Sequence, residues 1–200
     1  MIEKLTEYMR RFAHHPYAAI WLFLYAVIES VIFPVPPDVL LVPLALANPN
    51  RAVFFATIAA IGSVVGGMAG YAIGYFAFEP IALPVLRWMC QYSTTACPET
   101  FVPMLERLFE KHGVWVVGVS AMSPVIPYRF TILAAGLAHM ALVPFIIVSL
   151  LAHWLRYALV SVLTARLGPA AIGLVSKRLP LAFAATGAIA LVIYLLFQYI

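Results

Sequence analysis

Glu29, Asp38, Arg129 and Arg156 are ionisable side chains set within otherwise apolar stretches of the sequence. A charge at bilayer depth costs about 2.5 to 3.5 kcal/mol on insertion scales, so such residues pair with one another or face a cavity. Two acids come from the first half of the chain and two arginines from the second, so packing the halves together would neutralise all four. One reading is that the four are ion pairs that staple the halves. The other is that Glu29 and Asp38 take up and release a proton, or coordinate a cation, while Arg129 and Arg156 bind an anionic head group. Arginine suits the second task because its planar fork holds a phosphate in two hydrogen bonds and keeps its charge. A carboxyl suits the first because its proton occupancy changes as a charged partner comes and goes, so movement of an arginine would gate a proton.

Prolines stand beside these charges. Pro34, Pro36 and Pro37 precede Asp38, and Pro124 and Pro127 precede Arg129. Each removes a backbone donor and clashes one turn back. They either end helices or unwind backbone at membrane depth so that carbonyls and helix ends line a cavity. Ser30, Ser123 and Tyr128 are further candidate ligands there, although serine in a membrane helix more often bonds its own backbone. Cys90 and Cys97 form either a disulfide in an oxidising compartment or two free thiols, since spacing alone does not establish geometry. His14, His15, His112, His139 and His153 form no ligand-spaced cluster, so no metal site is expected and all five are read as interfacial or packed. No phosphate-binding glycine loop, G-x-S-x-G or H-E-x-x-H occurs, and neither an enzyme nor a cofactor is expected.

The elements that must position these residues are apolar. Of 200 residues, 64% are hydrophobic and 10% charged, against roughly a quarter charged in a soluble domain, and mean hydropathy is +1.00. Charge-free runs extend over 52–78, 130–155 and 179–200, each longer than the roughly 20 residues a spanning helix needs. The pattern predicts one all-α, polytopic membrane domain over 1–200. An amphipathic interfacial helix occupies 1–15, with Ile2, Leu5, Met9 and Phe12 on one side. A re-entrant hairpin follows over 17–48, broken at its prolines. A full crossing over 51–78 carries Gly62, Gly66, Gly70 and Gly74 at intervals of four, a face that lets another helix approach closely, within one subunit or between two. The stretch 79–112 reads as a polar external loop with an interfacial helix, 113–141 as a second re-entrant hairpin, and 143–166 and 179–200 as further crossings, about three in all.

Pro34-x-x-Pro37 followed by Asp38 has its counterpart in Pro124-x-x-Pro127 followed by Tyr128-Arg129, each between two apolar arms and each followed by a long crossing. Interrupted hydrophobic segments in corresponding positions point to an inverted-repeat transporter and its binding site. If each hairpin returns to its side of entry, seven basic residues (Lys4, Arg10, Arg11, Arg51, Arg166, Lys177, Arg178) face three (Arg87, Arg107, Lys111). The excess makes the first side cytoplasmic, with the N-terminus inside and the C-terminus external. The N-terminus lacks the pattern of a cleavable signal peptide, and uncleaved insertion is expected. The net charge of +4 lies at helix ends, so nucleic acid is not an expected partner.

At Glu29-Ser30-x-x-Phe33-Pro34-x-Pro36-Pro37-Asp38, at Gly62-Ser63-x-x-Gly66-Gly67-x-x-Gly70-Tyr71-x-x-Gly74, and at Ser123-Pro124-x-x-Pro127-Tyr128-Arg129 with Ala135-Gly136, the sequence resembles the DedA family. The nearest likeness is to its YqaA-like branch, also described as the SNARE-associated or VTT domain, over roughly residues 20 to 165. The resemblance implies a bacterial inner-membrane protein whose two re-entrant hairpins meet near the midplane. It also implies flipping of polyprenyl phosphate or phospholipid, with protons as coupling ions. By position it assigns functional roles to Glu29, Asp38 and Arg129. Many members carry a second arginine two turns earlier, where this chain has Ala121, Met122 and Ser123; Arg156 is our candidate for the missing charge. The leading expectation is a proton-coupled flippase of an anionic lipid, with self-association as a further possibility. The alternatives are an ion-coupled exporter of small solutes and a non-transporting membrane scaffold.

Overall fold

The computed structural model describes residues 15, 17–31, 36–91, 97–123 and 128–168. Every regular element among them is helical. Helices α1 (Ala18–Val31) and α2 (Asp38–Ala47) lie either side of the first proline cluster, and a 3-10 turn at Pro49–Arg51 leads into α3 (Ala52–Phe76). A π-helical turn at Phe78–Ala82 and the short α4 (Leu83–Cys90) come next. Helices α5 (Pro98–Met122) and α6 (Tyr128–Leu137) lie either side of the second cluster, and α7 (Leu142–Leu167) follows. The expected interfacial helix at 1–15 falls outside the described residues save for His15, and the expected crossing at 179–200 lies wholly outside them.

The local chemistry explains these boundaries. Pro37 precedes α2 with φ −61°, and Asp38 places a negative charge on the first turn, where the helix dipole favours it. Pro98 opens α5, followed by Glu99. Helix α6 ends in a Schellman turn: His139 takes a left-handed φ of 52°, and the His139 and Met140 amides donate to the Gly136 and Ala135 carbonyls, both at 3.0 Å. Nothing breaks the chain between Lys111 and Val114, so α5 runs unbroken from the amphipathic segment into the apolar arm. The stretch read as a loop over 79–112 therefore holds α4 and the first half of α5.

Segments Pro49–Phe76 and Leu142–Leu167, of 28 and 26 residues, have mean hydropathies of 2.0 and 1.8. At about 1.5 Å per residue each exceeds the roughly 30 Å hydrocarbon core, whereas α1 and α2, with 14 and 10 residues, fall short of it. Tyr71 near the end of α3 packs on Phe145 near the start of α7, while Thr57 near the start of α3 accepts a hydrogen bond from Trp154 further along α7. The two long helices therefore run antiparallel.

The helix pairs that flank the two proline clusters clasp these long helices in a repeated way. In each half the first arm packs on its own long helix, α1 on α3 and α5 on α7, and the second arm crosses to the other half's long helix, α2 on α7 and α6 on α3. Two apolar cores result. One joins Leu22, Leu41, Leu44, Phe55 and Tyr157, and the other joins Tyr71, Phe109, Val117, Ile132 and Phe145. Many large apolar side chains of the long helices, among them Ile61, Val65, Met68, Ile147, Leu151 and Leu155, point outward, while the buried faces are mostly Ala, Gly, Ser and Thr with a few aromatic residues such as Phe55, Tyr71, Phe145 and Tyr157. That distribution suits helices surrounded by lipid, where small residues allow close packing.

The glycine face of α3 serves this internal packing, and it divides between two helices. A Cβ at Gly62 would meet the Phe23 carbonyl oxygen at 2.7 Å, and one at Gly66 would overlap the Val27 carbonyl, both on α1. Cβ atoms at Gly70 and Gly74 would overlap Ile132 and the Leu133 carbonyl on α6. Gly66→Ala and Gly74→Ala should therefore each destabilise the fold by about 1 to 3 kcal/mol. Gly118→Ala, which meets only a Val148 methyl at 3.1 Å, should leave stability within about 0.5 kcal/mol of wild type. Thermal unfolding in detergent micelles distinguishes the two outcomes.

Candidate functional site

The end of α1 and the start of α6 meet at the middle of α3. Gly66 abuts Ser30, at the end of α1, and a Cβ on the adjacent Gly67 would lie 2.8 Å from the hydroxyl of Tyr128, the first residue of α6. A residue with a side chain at either position would push an arm away. Ser30 is buried and bonds back to the Ala26 carbonyl at 3.0 Å, the backbone role expected of it.

Arg156, midway along α7, reaches Asp38 at the start of α2. Its Nη2 donates to Asp38 Oδ2 at 2.6 Å, with side chains 11% and 21% exposed. Asp38 Oδ1 is buried with no hydrogen-bond partner among the described residues, so this carboxylate keeps an acceptor in reserve. Glu29, half-buried near the end of α1, lies within electrostatic reach of Arg156, Arg129 and Asp38. All four charges singled out in the sequence thus gather at one place, drawn from α1, α2, α6 and α7, with acids from the first half and arginines from the second.

Aromatic and hydroxyl groups line the same region: Tyr128 is singled out in the sequence, while Ser149 and Tyr157 are not and His153 is read there only as interfacial or packed. The Arg156 guanidinium carbon lies 5.5 Å from the Tyr157 ring centre, within cation–π range. Tyr157 is 1% exposed, and its hydroxyl lies 3.1 Å from Ser63 Oγ on α3. His153, 3% exposed, is held between two tyrosines: Tyr157 stacks at 5.6 Å and 13°, and Tyr128 meets it edge-on at 4.6 Å. The Tyr128 hydroxyl donates to Ser149 Oγ at 2.9 Å. Ser149, His153 and Tyr157 recur at intervals of four on α7, so they share one helix face. That period was present in the sequence and would have revealed them; each was hidden by being a single polar residue among apolar ones.

Of the hairpin-shaping prolines, Pro37 is buried against the site and Pro36 is exposed, while Pro34, Pro124 and Pro127 lie outside the described residues. Ser123, at the end of α5, is buried. Cys97 is disulfide-bonded; the Cys90 side chain is outside those described. The described residues include no group of three or more His, Cys, Asp or Glu able to hold a metal. A cleft of about 740 Å³ lies elsewhere, between α5 and the α6–α7 turn, lined in part by Glu106, Glu110, Lys111 and His139. None of the four gathered charges lines it.

The sequence profile of the VTT domain matches residues 33–166, which hold α2, α3, α5, α6, all but the last residue of α7 and three of the four charges. This chain belongs to the DedA family of VTT-domain membrane proteins. It is 37% identical over 165 residues to an uncharacterized protein of Haemophilus influenzae, covering 82% of this chain and 79% of that one. It is 34% identical over 161 residues to an uncharacterized protein of Histophilus somni, covering 80% of each. No solved structure matches it. Within the VTT match, Asp38 and Arg156 fall near opposite ends of the matched segment, so the domain's first and last parts are tied by one ion pair.

Removing one partner of a buried pair strands the other's charge. Arg156→Gln or Asp38→Asn alone should cost about 3 to 5 kcal/mol, whereas the neutral double variant should recover most of that loss. A double-mutant cycle on unfolding in detergent measures it.

Proposed function

We infer that this DedA protein moves an anionic lipid head group between leaflets, exchanging protons at Asp38 and Glu29 as it does so. The observation that carries this reading is the gathering of two acids and two arginines where one arm from each half, α1 and α6, meets the middle of a long apolar helix. If α3 and α7 span the bilayer, that point falls near the midplane, and α1, α2 and α6, too short to cross alone, read as arms of re-entrant hairpins. A transporter of head groups needs a polar station there, because hydrocarbon offers none.

The chemistry of exchange follows from the pair itself. A phosphate arriving at the site competes with Asp38 for the Arg156 fork, which suits phosphate oxygens as well as carboxylate oxygens. A carboxylate that loses its arginine in a poorly solvated interior is stabilised by taking a proton. Arg129, at the head of α6 and within reach of Glu29, supplies the second cation for a doubly charged head group. Binding of the anion and uptake of a proton are thereby coupled, and release reverses both.

The scaffold reading rests on the same ion pair acting as a staple, and activity separates the two. Purified protein reconstituted in vesicles with a fluorescent anionic lipid should move it between leaflets. Asp38→Asn and Arg129→Ala should each slow that movement by about tenfold or more, the scale on which a lost charged contact alters binding or its transition state. Unchanged rates in both variants would sink the proposed roles. Flux of a small solute without lipid movement would favour the exporter.

A further inference from the structure

The face of α7 that carries His153 continues beyond the site. Ser149, His153, Tyr157, Ser161 and Thr164 follow one another at intervals of three or four, and all five are buried, none more than 3% exposed. At about 1.5 Å per residue this row extends about 22 Å, most of the thickness of a bilayer's hydrocarbon core. A buried polar row in an apolar helix is costly unless its members are satisfied.

The members differ in how they are satisfied. Ser149 and Tyr157 have hydroxyl partners in Tyr128 and Ser63. Both ring nitrogens of His153, and the hydroxyls of Ser161 and Thr164, have no hydrogen-bond partner among the described residues. This departs from the usual behaviour of helix hydroxyls, which bond a carbonyl one turn back, as Ser30, Thr57 and Ser120 do here. Among the described residues, the charged and titratable groups around the row are Arg156 and Arg166 on α7, Asp38 on α2, Glu29 on α1 and Tyr128 on α6; Arg156, Asp38 and Glu29 act electrostatically on His153, Tyr157 or Tyr128, and Tyr128 meets the His153 ring edge-on.

We propose that this face of α7 is a proton path, leading from the α7 end beside Arg166 through Thr164, Ser161 and Tyr157 to the carboxylates at Arg156, with His153 as its branch toward Tyr128. The idea rests on proton exchange at Asp38 and Glu29 but not on the identity of the cargo. Neighbours three or four apart on a helix face stand about 5 to 6 Å from one another, a gap that one water closes. A hydroxyl accepts a proton at its oxygen and passes on its own; an imidazole accepts at one nitrogen and releases from the other. No group along the row ends a transfer changed, and the net movement is one proton between the helix end and a carboxylate.

Vesicles of phosphatidylethanolamine and phosphatidylglycerol carrying the full chain, a trapped pH-sensitive dye and a labelled phosphatidylglycerol read protons and lipid together. After a pH jump, wild type should admit protons faster than protein-free vesicles. His153→Gln, and separately the Ser161→Ala/Thr164→Val pair, should slow proton entry by about tenfold, within the range that a positioned proton carrier contributes. Ser120→Ala, whose hydroxyl is tied to its own helix, should not. The hydroxyl pair lies outside the ring cluster, so its result stands even if His153→Gln fails to fold. Wild-type proton entry no faster than in protein-free vesicles, or unchanged entry in both variants, overturns the path. Lipid movement without proton entry would leave the flippase reading standing and this one fallen; proton entry without lipid movement would do the reverse.

Discussion

An ionised group inside a lipid-facing protein must find its countercharge within the protein, and here that requirement joins the two halves. Asp38 begins the second arm of one hairpin, and Arg156 sits midway along the long helix of the other half, 2.6 Å away. Neither helix could keep its charge alone without a cost of several kcal/mol. The pair therefore fixes how α2 crosses to α7, as the counterpart packing of α6 on α3 fixes the other side. The glycines make the second constraint, because Gly66 and Gly67 let Ser30 and Tyr128 close on the middle of α3 from opposite hairpins. Charge neutralisation and close approach together place the polar site where the two apolar cores adjoin.

On the proposed function, the same arrangement is what lets the site act and not merely hold. An ion pair satisfied on all its atoms is a staple, whereas Asp38 retains an oxygen without a partner among the described residues, and His153 retains two nitrogens. Polar atoms left in that state at the centre of a packed structure represent binding capacity for a proton or water. Tyr157 connects them, since it lies against Arg156 on one side, against His153 on the other, and touches Ser63 through its hydroxyl.

Much of this was legible in the sequence. The stretches 51–78 and 143–166 coincide with two helices long and apolar enough to cross a membrane, Pro49–Phe76 and Leu142–Leu167, because uninterrupted hydropathy is a signal summed over many residues. The convergence of Glu29, Asp38, Arg129 and Arg156 was readable because charges in apolar runs are few and must meet. Other features depended on partners that a linear pattern does not name. The glycine face indicated a close neighbour but could not say that Gly62 and Gly66 meet α1 while Gly70 and Gly74 meet α6. His153 was read as interfacial or packed, and it is packed; what the sequence could not show is that Tyr128, distant in the chain, closes on it from α6. The boundary drawn at 112–113 followed the change from charged to apolar side chains, yet the backbone carries no break there, and Gly113 fits because it lies against Met140.

Exchanging the two partners of the central pair separates a staple from a working site most directly. The Asp38→Arg/Arg156→Asp variant keeps opposite charges in contact but reverses which helix presents the cation to an incoming head group. If the pair receives an anion as described, thermal stability in detergent returns close to wild type while movement of labelled anionic lipid in reconstituted vesicles stays at least about tenfold slower. Recovery of lipid movement together with stability would contradict the account, because a site indifferent to the position of its arginine is a structural ion pair.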